Sequence, residues 1–172
     1  MTETITSKVK VLVVDDSSFM RKIISDILSS DPHIEVVGTA RDGEDALRKI
    51  KILDPHVLTL DMEMPKLDGL QTLKVIMKDY PRPVIMVSSV TQEGTQATFQ
   101  ALATGAVDFV AKPSGHISLN MKDVGEELIA KVLAASTAML SKQDLLYEHP
   151  IYIPKGGNEI KKQPPEIVAI AA

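Results

Sequence analysis

The chain has 172 residues, a formal net charge of −4 and no cysteine, which removes disulfides, thiolate nucleophiles and cysteine metal sites together. Its 19 Lys and Arg are outnumbered by 23 Asp and Glu, and only 3% of residues are aromatic, so neither the basic patch nor the stacking platform of a nucleic-acid binder is present. With no signal peptide and no apolar run near the ~20 residues of a membrane span, the sequence predicts a cytoplasmic protein that neither inserts in a membrane nor binds nucleic acid.

Residues 1–7 are polar and expected to be disordered. The first strand, about 9–14, is nearly all aliphatic, as a strand covered on both faces should be. It ends in Asp15-Asp16, and Ser17-Ser18 offers a helix N-cap. Phe19, Met20, Ile23, Ile24, Ile27 and Leu28 then recur at the three-and-four spacing of an amphipathic helix, which Asp31-Pro32 stops. The strand Ile34–Ala40 is less apolar and belongs nearer a sheet edge. Asp42-Gly43 leads into a second helix with Ala46, Leu47, Ile50 and Leu53 on one face.

The third strand, 56–61, ends in a lone acid, Asp61. Beyond Pro65 and Asp68-Gly69, a third helix carries Leu70, Leu73, Ile76 and Met77. Pro81-Arg82-Pro83 ends it before the strand Val84–Ser88. A weak helix over about 92–103 has a thin apolar face of Ala97, Phe99, Ala101 and Leu102, with Gly105 where a left-handed C-cap belongs. Val107–Ala111 is the fifth strand and Lys112-Pro113 follows it. The last helix, about 120–141, is patterned through Val124, Leu128, Ile129, Val132, Leu133 and Met139. From 142 to 165 the Pro and Gly content marks a linker, and 166–172 is an apolar run that resembles the start of another buried strand.

Strands alternating with helices at this rhythm predict an α/β fold: a doubly wound, flavodoxin-like (βα)5 three-layer sandwich with a five-stranded parallel sheet. Chemistry in such folds lies beyond the C-terminal ends of the strands, where Asp15, Asp16, Asp61, Ser88 and Lys112 all fall. Taken singly, each acid is an ordinary turn or cap residue, Lys112 an ion-pair partner and Ser88 a local hydrogen-bonding group. Together they differ, because two carboxylates ~4 Å apart repel by roughly 4 kcal/mol at an effective dielectric of about 20. A nearby cation must offset this, or one carboxyl protonates or the strand ends spread. Hard oxygen ligands without His or Cys call for Mg²⁺ with positions left open for water and a phosphoryl group. Lys112 supplies a positive charge from the opposite side, Ser88 a hydroxyl, and Asp61 a nucleophile able to form an acyl phosphate.

The segments around Asp15-Asp16, Asp61 to Gly69, Ser88 and Phe109 to Pro113 resemble the response-regulator receiver family, in family order and over about residues 8–141. The resemblance implies that Asp61 is the phosphoacceptor, that Asp15, Asp16, Asp61 and the Glu63 backbone carbonyl serve Mg²⁺, and that Lys112 contacts the phosphate, with a cis peptide before Pro113. It also implies that Ser88 and Phe109 move together as the switch hydroxyl and switch aromatic. The phrasing Asp61-Met62-Glu63-Met64-Pro65, Met86 to Thr91 and Gly105 to Phe109 is similar to the branch that carries a C-terminal protein-glutamate methylesterase domain. That branch implies a chemotaxis histidine kinase as phosphodonor, the chain's own C-terminal methylesterase domain as partner, and chemoreceptors as substrates of the parent, which demethylates and deamidates them. Residues 166–172 are then expected to be the truncated start of that domain, with Ala171 where glycine is expected, and its catalytic residues to lie beyond this sequence. The chain itself is expected only to phosphorylate and dephosphorylate itself.

Two other classes compete. One is a receiver with a different output, a DNA-binding domain or a stand-alone switch, which the dispersed charges and the 167–170 strand start disfavour. The other is a haloacid-dehalogenase-type phosphatase, whose nucleophile lies on the first strand in an Asp-x-Asp motif. Here the lone acid is on the third strand and position 63 is Glu.

Overall fold

The computed structural model describes residues 7–89, 96–112 and 120–147, with side chains in the last stretch described over 121–137. Ten elements alternate: β1 (Val9–Val14), α1 (Ser18–Ser29), β2 (Ile34–Ala40), α2 (Gly43–Leu53), β3 (Val57–Asp61), α3 (Gly69–Asp79), β4 (Val84–Ser88), α4 (Gln96–Thr104), β5 (Asp108–Ala111) and α5 (Asn120–Tyr147). The strands pair in parallel in the order β2-β1-β3-β4-β5. This is the doubly wound, flavodoxin-like order, with its crevice where β1 and β3 lie side by side. β2 sits at the sheet edge, as its mixed composition predicts.

Alternation along each strand sorts the aliphatic side chains onto two faces. Leu12, Val14, Leu58, Leu60 and Met86 pack with Ala46 and Ile50 of α2, Leu73 and Ile76 of α3 and Ala101 of α4. Val11, Val13, Val57, Ile85, Val87 and Val110 pack with Ile24 and Leu28 of α1 and with Val124, Leu128 and Val132 of α5. The sheet is thus the middle layer of three, and its central strands are apolar on both sides for that reason.

Local chemistry starts the helices where the sequence marks them. Ser17 caps α1, its hydroxyl accepting from Met20 N at 3.3 Å. Asp42 caps α2, and Asp68 with Gln71 forms a capping box on α3. At the end of α4, Gly105 has φ +120° while the N–H groups of Gly105 and Ala106 both donate to Ala101 O. Among the described residues, no helix is long and apolar enough to cross a membrane.

Three expectations are corrected. Phe19 is 70% exposed, because it lies about 140° around α1 from Ile24 at 3.6 residues per turn and so misses the buried stripe. On α4 only Ala101 is buried, while Phe99 is 63% exposed. α5 continues to Tyr147, six residues past the predicted boundary at 141, since Lys142 to Tyr147 contains no helix breaker and the first proline is Pro150. The predicted disorder over 1–6, the start of α4 over 92–95, the Lys112–Pro113 peptide and residues 148–172 lie outside the described residues.

Gly69, the first residue of α3, fixes how that helix leaves the end of β3. A Cβ there would run into the carbonyl oxygen of Asp61 and would meet Met62 Cα at 2.8 Å. Both obstacles are backbone, so relief requires the strand–helix junction to move. Gly69→Ala is expected to cost about 1–3 kcal/mol, read as a lower urea midpoint at unchanged slope. An unchanged midpoint would show that the junction yields freely.

Candidate functional site

Strand ends gather the polar residues. Asp15 follows β1, Asp61 ends β3, Ser88 ends β4 and Lys112 follows β5. Parallel pairing of β1 with β3 through Val14↔Leu60 sets the two acids beside each other. One carboxylate oxygen from each of Asp15, Asp16 and Asp61 lies within 4.8 Å of the others. Asp15 and Asp61 are buried, at 0% and 1% exposure, while Asp16 is exposed. The sequence-predicted acid cluster therefore assembles in full.

Each buried carboxylate is held in the same way. Asp15 Oδ1 accepts from Ser17 N at 2.9 Å, and Asp61 Oδ1 accepts from Glu63 N at 3.1 Å. Each is an Asp bonded to its own backbone two residues on. Both Oδ2 atoms are buried without a well-directed hydrogen bond and face one ammonium: Lys112 Nζ stands 2.9 Å from each. Lys112 faces the acids with its positive charge and bridges the two buried ones. Two buried carboxylates need a neighbouring cation, and the lysine stem is long enough to reach both from β5. The strand ends accordingly stay paired, with Asp61↔Val87 in register.

The electrostatics are unequal. Burial pushes the Asp61 carboxyl above its ordinary range, the Lys112 ammonium and the Glu63 N–H oppose that rise, and the Asp15 charge adds to it. For Lys112, burial alone depresses the ammonium, but its contacts with Asp61 and Asp15 more than offset this and raise it. Lys112 is thus a fixed cation at neutral pH, and ionised Asp61 is held at a cost.

The remaining predicted residues take nearby places. Ser88 is half-buried at the tip of β4, and its carbonyl accepts from Lys112 N at 2.7 Å. Glu63 is exposed, and its Oε2 accepts from Ser89 Oγ at 3.4 Å. Phe109 lies on β5, half-buried against the α2–α3–α4 face. Sequence reasoning missed Arg21, whose Nη1 donates to the carbonyls of Asp15 at 2.9 Å and Asp16 at 3.0 Å and so fixes the acidic loop. One signal was available: a cation near the N-terminus of a helix opposes the helix dipole and calls for a local reason.

The acid cluster is a set of hard oxygen donors, with two buried oxygens opposed only by an ammonium. Those donors fit a small divalent cation.

The model of the response regulator receiver domain family matches residues 11–122. A protein-glutamate methylesterase/protein-glutamine glutaminase from Symbiobacterium thermophilum is 60% identical over 138 residues, covering 80% of this chain and 38% of that protein. The chain thus spans under two-fifths of that relative's length. Among solved structures, the response regulator domain of Thermotoga maritima CheB is 51% identical, with a TM-score of 0.70 over 76% of this chain and 97% of its own. A complex of the CheA3 P1 domain with CheY6 from R. sphaeroides contains a chain 31% identical to this one, with a TM-score of 0.64 over 76% of this chain and 98% of that one.

The raised Asp61 carboxyl gives a signed pH dependence. A folded carboxyl that holds its proton more tightly than the unfolded chain loses stability as pH rises from the unfolded value near ~3.9 to the folded one, and the penalty stays constant above. Asp61→Asn removes this penalty. In metal-free buffer the variant is expected to melt above wild type at neutral pH, with the gap closing as pH falls below about 4. A variant that melts lower at neutral pH would show that the Lys112 pairing outweighs burial.

Proposed function

The chain belongs to the response regulator receiver domain family, and from that premise we propose that it takes a phosphoryl group onto Asp61 from a phosphohistidine of a histidine kinase. The observation that carries this reading is the buried Asp61 carboxylate at the tip of β3, opposed by Lys112 and flanked by Asp15 and Asp16. Asp61 attacks phosphorus through a carboxylate oxygen. The new P–O bond forms as the donor's P–N bond breaks, and the imidazole leaves carrying its own proton. The Glu63 N–H holds the other Asp61 oxygen and so fixes which oxygen attacks. Lys112 keeps its proton throughout and transfers its charge from the Asp61 carboxylate to the phosphoryl oxygens, while the Ser88 hydroxyl donates to one of them.

Asp15, Asp16, Asp61 and the Glu63 carbonyl are the residues that would hold Mg²⁺. Bound there, the ion neutralises charge on the transferring group and offsets the mutual repulsion of the acids. Arg21 serves this set by fixing the backbone of the acidic loop.

The geometry of β4 and β5 supports a switch reading. Ser88 and Lys112 are tied through their backbones, so a Ser88 displaced toward a phosphoryl group acts on the strand that carries Phe109. Phe99 of α4, Val107 just before β5, and Met121 of α5 are exposed apolar side chains, which suits a surface that docks a partner in one state and not the other. We assign residues 8–141 to the phosphoacceptor domain, with its last helix extended to Tyr147, 148–165 to an interdomain linker, and 166–172 to the opening of a C-terminal domain.

The name carried by the Symbiobacterium relative supports a protein-glutamate methylesterase and glutamine deamidase as the output. The unphosphorylated receiver holds that domain inactive, and phosphorylation releases it in the cytoplasm to act on chemoreceptors. A chemotaxis kinase as donor fits the CheA3 P1–CheY6 likeness.

Intact mass after incubation with a small acyl-phosphate donor and Mg²⁺ tests the chemistry. Wild type is expected to gain one labile phosphoryl adduct, which does not form when Mg²⁺ is omitted from the incubation and is absent in Asp61→Asn. An adduct of equal yield on the variant would overturn the assignment of Asp61. For the output, the esterase rate of the full parent protein is expected to rise on phosphorylation, and an unchanged rate would remove the regulatory reading while leaving the chemistry intact.

A further inference from the structure

Among the described residues β5 is the last strand of the sheet, and no other described strand lies beside its outer edge. The peptide groups of Phe109 that face this edge are nevertheless both satisfied. Phe109 N donates to Asp108 Oδ1 at 2.8 Å, and Phe109 O accepts from Lys131 Nζ at 2.7 Å. Lys131 Nζ also donates to Asp108 Oδ1 at 3.2 Å, which closes the arrangement into a ring across the edge. The same ammonium stands 5.2 Å from the centroid of the Phe109 aromatic ring, and Glu127, one turn earlier on α5, holds it at 2.8 Å. One side chain from α5 thus grips the backbone, the ring and the neighbouring carboxylate of a single residue on β5. Burial alone would depress the Lys131 ammonium, but its bonds to Glu127 and Asp108 more than offset this, so it is a cation at neutral pH.

The geometry points to Lys131 as a positioning residue that holds Phe109 in the conformation seen here and thereby sets how readily β5 responds to a phosphoryl group on Asp61. This rests on the reading of Asp61 as phosphoacceptor and of Phe109 as an aromatic side chain that turns when Ser88 moves. The contacts of Lys131 divide into two kinds. Its bonds to Asp108, Glu127 and the Phe109 carbonyl involve groups that need not move when the aromatic ring turns. Its contact with the face of the ring does have to change. Only an interaction that differs between two states biases the balance between them, so the cation–π contact is the part that opposes the turned state. Lys131 is also placed to matter, because Phe109 and Lys112 lie on the same short run of chain and Lys112 N is bonded to Ser88 O.

The test is the affinity of the full chain for beryllofluoride in the presence of Mg²⁺, measured by calorimetry on wild type, Lys131→Met, Lys131→Arg, Phe109→Leu and Phe109→Leu/Lys131→Met. Methionine keeps most of the aliphatic stem and removes the charge. Lys131→Met is expected to bind the phosphoryl mimic about 3-fold more tightly, the size of one partly exposed cation–π contact. Lys131→Arg should restore the wild-type affinity, and in the Phe109→Leu background the Lys131→Met change should have no effect. Unchanged or weaker binding by Lys131→Met would overturn the inference, including where its melting temperature falls, since the residue would then be structural only. Tightening that persists without the aromatic ring would overturn it as well. Failure of the phosphoacceptor reading has a separate signature: wild type itself would show no Mg²⁺-dependent binding that Asp61→Asn abolishes.

Discussion

Two buried carboxylates sharing one ammonium is the constraint on which the rest of this molecule depends. Asp15 and Asp61 end adjacent parallel strands, each with one oxygen bonded to its own backbone and the other facing Lys112. Neither acid is placed for stability. A parallel sheet covered on both faces excludes water from its strand tips, and ionised groups there are costly without a partner. The lysine makes the arrangement tolerable, and it comes from a third strand. The sheet order is therefore part of the chemistry, since β1, β3 and β5 must be brought to a common edge before the charges balance.

On the proposed reading, this arrangement also lends itself to switching. A phosphoryl group on Asp61 would add negative charge beside the cation that already serves two acids. Lys112 must redistribute its bonds, and Lys112 is tied through its backbone to Ser88 on β4 and continues the strand that holds Phe109. A local change of charge thus reaches a half-buried aromatic at the sheet edge within a few residues. Coupling of this kind needs no long pathway, only an element with two arrangements that the charge biases. The thin burial of α4, with Ala101 alone fully inside, leaves the neighbouring surface lightly anchored.

Much of this was legible in the sequence, because apolar runs of about six residues ending in acids, a serine or a lysine encode both the strands and the edge where they finish. Strand types, the edge position of β2, the cap at Ser17, and the clustering of Asp15, Asp16 and Asp61 all follow from local pattern. What was not legible depended on tertiary distance. That Lys112 bridges both acids is decided by side-chain reach across three strands. Arg21 reads as one more polar residue on α1 until its bonds to the Asp15 and Asp16 carbonyls are seen. The grip of Lys131 on Phe109 spans 22 positions and has no periodic signature. Phe19 was misplaced because the three-and-four pattern spreads around more of α1 than the buried stripe covers and Phe19 lies at its far edge, and α5 was ended too early because the apolar patterning stops at Met139 while the helix runs on through residues that contain no breaker.

The claim at the centre is that these buried carboxylates form a divalent cation site with Lys112 as its resident counter-charge. It is tested most directly by the rise in unfolding temperature when Mg²⁺ is added to the metal-free protein, compared between wild type and Asp15→Asn. A ligand that binds only the folded state stabilises it by an amount that grows with concentration over affinity, so wild type should melt progressively higher as Mg²⁺ is raised and Asp15→Asn should lose most of that response. No rise in wild type, or an equal rise in the variant, would contradict it.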